Sequence, residues 1–185
     1  MNKALLLIDL QNDYYPGGAF PLWNTEETTK NILKAIELAK AADVMVIHIQ
    51  HIANPEAGIA PFFNKGTEGA DIFADVLNAA PNAPIIVKEY ADSFHQTKLE
   101  EVLSSKGIDE LLVCGMMTQN CVTHTAISKA AEKYMVSILT DCCTTVNEAI
   151  HMIALHAVQT RVRLVEFEQT LEAEQGAQPD AYGAG

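Results

Sequence analysis

The stretch IDELLVCGMMTQNCVTHT, residues 108–125, joins an apolar run to a segment of helical character. The run Ile108–Cys114 is short and mostly apolar, as buried strands are. Gly115 interrupts it, and Thr118 is a residue type that caps helices. Beyond it, apolar or small residues recur at helical spacing, at Val122, Ala126 and Ala130. The stretch therefore predicts a buried strand, a tight turn and a helix.

The same succession recurs along the whole chain. Near-continuous apolar strands that alternate with helices are typical of a parallel sheet covered on both faces. Because crossovers are right-handed, this pattern predicts a doubly wound α/β fold of three layers, α/β/α, of the Rossmann type. We expect one domain over residues 1–171 and a flexible C-terminal tail over residues 172–185, which are polar and rich in small residues. The apolar runs are residues 4–9, 44–49, 84–89, 111–115, 135–141 and 161–167.

Two of the predicted helices begin with the spacing of a capping box, in which a Ser or Thr is followed three residues later by Glu or Gln. Ser93 stands three residues before Gln96, and Thr145 three residues before Glu148. By contrast, residues 52–81 show no clear period and are rich in proline and glycine. Long segments of this kind in compact domains often form lids or pocket walls.

Composition and charge exclude several classes of function. The chain has 185 residues and a formal charge of −12, which disfavours nucleic acid and anionic membranes as partners. No apolar run is long enough to span a membrane, and Asp9 interrupts an N-terminal run that is too short for a secretion signal. The four cysteines lack zinc or redox spacing, so we expect reduced thiols and a cytoplasmic protein.

Three reactive side chains follow the predicted strands at their carboxyl ends, where doubly wound sheets place their active sites. Asp9 closes the first strand, Lys88 closes the third, and Cys121 follows the fourth after a short turn. A thiol at a helix start beside a lysine is expected to have a lowered pKa. Together, Cys121, Asp9 and Lys88 suit a nucleophile, its base and a stabilising charge. The alternatives are a small buried thiol for Cys121 and a strand-end cap or structural ion pair for Asp9.

Several segments together resemble the isochorismatase-like cysteine hydrolases, a group that includes nicotinamidases and N-carbamoylsarcosine amidohydrolases. The resemblance extends over about residues 3–170, and its ordered motifs D-L-Q-N-D, K and G-x-x-T-x-x-C are specific as a set. The segments that carry it are LLLIDLQNDY (5–14), VKEYADSFHQTKLEEVLSSKGI (87–108), LLVCGMMTQNCVTHTA (111–126) and VSILTDCCTT (136–145).

The resemblance implies an enzyme with a six-stranded parallel sheet and a catalytic triad of Asp9, Lys88 and Cys121. It also implies a cis peptide bond between Met116 and Met117, with the backbone N–H groups of Met117 and Cys121 forming an oxyanion hole. The implied reaction is hydrolysis of a C–N bond in a small amide or carbamoyl compound, through a thioester and without a cofactor. Two alternatives stay open: vinyl-ether hydrolysis of the isochorismatase type, with Asp9 as the acid, and a non-catalytic scaffold. Members of the group assemble, so we expect a homo-oligomer, a dimer or tetramer.

Nicotinamidases of this group carry a metal site built on an Asp-x-His pair and a further histidine after the second strand. This chain instead has His48 and His51 there, without an acidic partner. Because residues three apart on a strand point to opposite faces, we expect no metal ion, with His51 as a polar residue at the loop edge. Aromatic residues in the loops are candidates for the substrate pocket, although ordinary packing would also explain them: Trp23, Phe62 and Phe63.

Overall fold

The computed structural model describes residues 2–171, and the predicted tail at 172–185 lies outside them. Within the described residues, six parallel strands form one sheet in the order β3-β2-β1-β4-β5-β6. All seven residues of β4 and five of the six residues of β1 are buried, so both faces of the central sheet are covered. The predicted fold class is confirmed. The strands are β1 (Lys3–Ile8), β2 (Met45–His51), β3 (Ile85–Lys88), β4 (Glu110–Met116), β5 (Met135–Thr144) and β6 (Arg163–Val165).

The helices follow the strands as crossover connections and supply the outer layers. None of the helices in residues 2–171 is long and apolar enough to cross a membrane. The helices are α1 (Thr25–Ala41), α2 (Ala74–Ala79), α3 (Leu99–Ser105), α4 (Thr123–Ala126), α5 (Glu148–Val158) and α6 (Phe167–Leu171).

Neither predicted capping box forms. Helix α3 begins only at Leu99, because Ser93 shares a buried hydrogen bond with Thr125 and Gln96 adopts a positive φ of 56°. Helix α5 does begin at Glu148, but its cap is Asn147, whose side chain accepts a hydrogen bond from the N–H of Ile150. In both places, polar side chains form hydrogen bonds other than the ones that the capping-box spacing indicates.

The ends of β1 and β4 approach closely at Gly115. This glycine has a φ of +121°, and a Cβ there would lie 2.1 Å from the carbonyl oxygen of Ile8. Only glycine fits such an approach. Asp9 follows Ile8 directly and itself adopts a φ of 52°, a strained conformation for a residue other than glycine. The crossovers run in opposite directions from β1, so this edge is the topological switch point where ligands bind in such sheets.

Candidate active site

A buried ion pair between Asp9 and Lys88 forms the centre of the site. The Lys88 Nζ donates a hydrogen bond of 2.9 Å to Asp9 Oδ2, and both side chains are 0% exposed. Burial by itself would lower the pKa of Lys88, but the Asp9 carboxylate and the neighbouring Cys121 raise it overall. The lysine is therefore a cation at neutral pH, held over the end of β2.

Cys121 lies in a π-helical turn, Thr118–Val122, and not in the first turn of an α-helix. Its side chain is buried, with the residue 1% exposed, and its sulfur, an Asp9 carboxylate oxygen and a His51 ring nitrogen lie within 4.8 Å of one another. Burial, and then the charge of Asp9, raise the pKa of Cys121 well above its ordinary value, while Lys88 lowers it only in part. The predicted lowering of this pKa is wrong.

A protonated thiol needs a base when it attacks, and Asp9 is placed to serve. Its Oδ2 receives the bond from Lys88, whereas its Oδ1 is buried without a hydrogen bond to any residue in the described part of the chain. A buried carboxylate oxygen without a donor is costly, and such atoms usually have a functional reason.

The turn between β4 and α4 carries both of the predicted oxyanion donors. The peptide bond between Met116 and Met117 is cis, and Met117 immediately precedes the turn that contains Cys121. A hydrogen bond of 2.8 Å between Thr118 Oγ1 and His151 Nδ1 ties this turn to α5. Thr118 therefore anchors the turn to a neighbouring helix through its side chain, and caps no helix end.

His51 is the member of the cluster that sequence reasoning missed. It ends β2 and pairs in register with Lys88 at the end of β3, which brings its Nδ1 to 3.1 Å from Lys88 Nζ and 3.8 Å from Asp9 Oδ2. Burial lowers the pKa of His51, and Lys88 lowers it further, although Asp9 opposes the shift. The ring is therefore neutral at pH 7. Its place at a strand end, beside the strand that carries Lys88, was the signal that could have found it.

The motif D-L-Q-N-D, residues 9–13, organises the loops around this cluster. The buried Gln11 side chain donates to the carbonyl oxygens of His51, at 2.8 Å, and Ala70, at 2.7 Å, and accepts from the N–H of His51 at 2.8 Å. Asp13 accepts a bond of 2.7 Å from the N–H of Phe63. One short motif thus supplies the carboxylate at Asp9 and fixes the segment after β2 against it.

The three aromatic pocket candidates divide into two groups. Phe63 is fully buried, and its ring centroid lies 5.8 Å from that of His51. The half-buried Phe62 packs against Phe63, with their ring centroids 5.0 Å apart. Trp23 is exposed and its nearest ring is His151 of α5, at 6.4 Å. Phe62 and Phe63 therefore lie in one cluster with His51, and Trp23 is not part of that cluster.

Tyr14 is a second residue that sequence reasoning missed. It is buried, with its ring 4.5 Å from that of Phe63. Burial raises the pKa of its phenol far above the ordinary value, and the nearby Asp9 and Cys121 raise it further. The phenol hence keeps its proton, as a neutral group near Asp9 and Cys121. The motif gave no indication of it, because an aromatic residue after D-L-Q-N-D also suits simple packing.

Comparison with known proteins identifies the family of this chain. A family model described as "Isochorismatase domain" matches residues 3–168. The chain belongs to the isochorismatase family. The isochorismatase family protein YddQ of Bacillus subtilis, which is uncharacterised, is 35% identical over 90% of this chain and 98% of its own length. The nicotinamidase of Escherichia coli is 28% identical over 78% of this chain and 84% of its own. The chain is therefore a hydrolase of the isochorismatase type.

Solved structures of the family share the fold. The crystal structure of an isochorismatase-like hydrolase from Alkaliphilus metalliredigens superposes with a TM-score of 0.84 at 25% sequence identity, over 94% of this chain and 99% of that one.

The side chains of this family member do not fit a metal ion. Among residues 2–171, the only grouping of three potential ligands is Asp9, His51 and Cys121. The Lys88 ammonium is 2.9 Å from the first and 3.1 Å from the second, so a fixed positive charge already occupies their common neighbourhood. A second cation there would be strongly repelled. His48 points elsewhere, with its Nε2 3.0 Å from the carbonyl oxygen of Ala80.

Proposed function

We propose that this isochorismatase-family hydrolase cleaves a C–N bond in a small amide or carbamoyl compound, through a thioester on Cys121 and without a metal ion. The observation that carries the proposal is the buried cluster in which the Cys121 thiol, the Asp9 carboxylate and the Lys88 ammonium meet at one sheet edge. A nucleophile, a base and a fixed charge within reach of one another are what acyl transfer needs.

Acylation begins when the Cys121 sulfur attacks the substrate carbonyl. Because the pKa of the thiol is raised, its proton passes to Asp9 as the carbon–sulfur bond forms. The developing oxyanion accepts hydrogen bonds from the backbone N–H groups of Met117 and Cys121, at about 3–4 kcal/mol of transition-state stabilisation per donor in comparable sites. Lys88 keeps its proton and holds the Asp9 carboxylate in place through Oδ2.

Collapse of the tetrahedral intermediate breaks the C–N bond. Asp9 returns the proton to the departing nitrogen, which leaves as a neutral amine or ammonia and frees the carboxylate. A water molecule then attacks the thioester while Asp9 takes its proton. The carbon–sulfur bond breaks, the acid product leaves, and the proton on Asp9 returns to Cys121.

The nicotinamidases among the relatives support amide chemistry. A nicotinamidase acts on the primary amide of nicotinamide, and the Escherichia coli nicotinamidase aligns with most of this chain. Since the described residues offer no site that fits a metal ion, we expect the protein to bind its amide substrate without a metal.

A second candidate is hydrolysis of a vinyl ether, in which Asp9 acts as an acid and the thiol is not needed. The observation that favours it is the raised pKa of Cys121, since a thiol that stays protonated is a poor resting nucleophile.

A substrate screen with two variants separates the candidates. Purified protein is incubated with small primary amides, carbamoyl compounds and isochorismate, and product formation is followed by mass spectrometry. We expect turnover of an amide or carbamoyl compound that disappears in Cys121→Ala and persists in Cys142→Ala, which removes a buried thiol of β5 as the matched control. Turnover of isochorismate that survives Cys121→Ala would contradict the thioester mechanism and establish the vinyl-ether reaction.

A further inference from the structure

The Lys88 ammonium has three N–H donors, and three acceptor atoms of other residues lie around it. Its Nζ lies 2.9 Å from Asp9 Oδ2, 3.0 Å from the carbonyl oxygen of Tyr90 and 3.1 Å from His51 Nδ1. An ammonium donates three hydrogen bonds and accepts none. The Nδ1 atom must therefore act as an acceptor, which requires it to be unprotonated. The contact fixes the ring as neutral, with its single proton on Nε2.

We propose that His51 is a positioning residue for the catalytic cluster. It accepts the third hydrogen bond of Lys88 through Nδ1, and so fixes the direction in which the ammonium faces Asp9. The inference rests on the proposed function, since it gives His51 a part in the reaction of Asp9, Lys88 and Cys121. His51 itself transfers no proton and touches no substrate in this role.

The surrounding structure holds the His51 ring for this purpose. Both backbone polar groups of His51 are bound by the one buried amide of Gln11. The ring packs against the buried Phe63, whose own N–H is held by Asp13. The backbone of His51 is thus fixed, and its ring is packed against Phe63, independently of Lys88.

Protonation of His51 should switch the cluster off. The charged groups that face the ring are Asp9 at the end of β1, Lys88 at the end of β3 and, once ionised, Cys121 in the π-helical turn. Protonated His51 would place a second positive charge 3.1 Å from Lys88 and remove the acceptor at Nδ1. Activity should therefore fall as the pH drops through the pKa of His51, which burial and Lys88 hold below its ordinary value of about 6.5.

The first test reads the tautomer directly and needs no substrate. Long-range nitrogen–proton NMR spectra of the uniformly labelled full chain at pH 7 report which ring nitrogen carries the proton, and comparison with His51→Asn assigns the signals. We expect a neutral ring with the proton on Nε2. A proton on Nδ1, or a cationic ring at pH 7, would overturn the inference even if the thioester mechanism is correct.

The second test compares two substitutions by steady-state kinetics. Asparagine places an acceptor oxygen near the former Nδ1, whereas phenylalanine keeps a planar ring without an acceptor. We expect kcat to fall at least about tenfold in His51→Phe, with KM within a few-fold, because a buried ammonium loses a partner. In His51→Asn we expect kcat to be largely kept and the acid limb of the pH profile that belongs to His51 to disappear.

Equal loss of kcat in both variants, or an unchanged kcat in His51→Phe, would overturn the positioning role. His48→Asn is the matched control, because His48 lies on the same strand but contacts the carbonyl oxygen of Ala80. It should leave the pH profile unchanged. Failure of the proposed function has a different signature, which is turnover that survives Cys121→Ala.

Discussion

Replacing Lys88 with methionine should destabilise the protein far more than the loss of a lysine usually does. Methionine is similar in length and apolar, so it fills the space that the lysine stem occupies. The ion pair with Asp9 is 2.9 Å long and 0% exposed, so the substitution leaves a buried carboxylate without its ammonium. Breaking a buried pair in this way costs about 3–5 kcal/mol of unfolding free energy.

A double-mutant cycle isolates the pair from other effects. In Asp9→Asn with Lys88→Met both charges are gone, and we expect at least half of the lost stability to return, since replacing a buried pair by neutral groups is often nearly neutral. The assay is urea denaturation of the wild type, both single variants and the double variant at one pH, followed by circular dichroism.

A surface pair provides the matched control for the cycle. Lys34 and Glu37 are 3.3 Å apart, but both are largely exposed. Lys34→Met should cost less than about 1 kcal/mol. If Lys88→Met costs no more than Lys34→Met, or if the double variant is no more stable than Lys88→Met, the account of a buried charge pair at the centre of the site is refuted.

Three further predictions concern stability and reactivity. Gly115→Ala should unfold at a markedly lower temperature, because its Cβ would lie 2.1 Å from a carbonyl oxygen of β1. Gly58→Ala is the control: Gly58 has open space around it, so this substitution should cost only its backbone strain. Equal melting temperatures of the two variants would contradict this. Burial lowers the pKa of His48 and of His151, so the native state binds fewer protons than the unfolded chain below about pH 6.5. Unfolding free energy should therefore fall as the pH drops below that value, and a constant or rising value in denaturation at pH 5.5 would be inconsistent. Because its pKa is raised, Cys121 should react with iodoacetamide more slowly at pH 7 in the native protein than in urea, as read by peptide mass spectrometry; faster reaction in the native protein would count against the raised pKa.

The strands and the order of the layers could be predicted because they depend on local composition. The apolar run at residues 111–115 lies within β4, which is buried along its whole length, and only a covered parallel sheet accommodates several such runs. Helix starts were harder to predict, since a cap depends on which partner is nearest. The hydroxyl of Ser93 bonds to Thr125, which is 32 residues away in sequence, so its capping pattern is never used.

The positions of site residues at strand ends could be predicted from the sequence, whereas properties that depend on burial could not. Asp9 directly follows β1 and Lys88 ends β3, as expected, and their side chains meet across β2. The sequence predicts only a loop-edge position for His51, because its spacing from His48 does not show which residue of β3 it faces. The raised pKa of Cys121 could not be predicted, because a sequence shows the lysine and the helix start but not the depth at which the thiol is buried.

The most direct test of the central claim is to trap the acyl group on Cys121. The protein is mixed with an amide or carbamoyl substrate identified by the screen, quenched in acid within the first turnover, and analysed as intact protein and as peptides by mass spectrometry. We predict a mass increase equal to the acyl group on the peptide that contains Cys121, in the wild type and in Cys142→Ala but not in Cys121→Ala. Product formation without any adduct, together with full turnover by Cys121→Ala, would contradict the claim that the thiol carries the reaction.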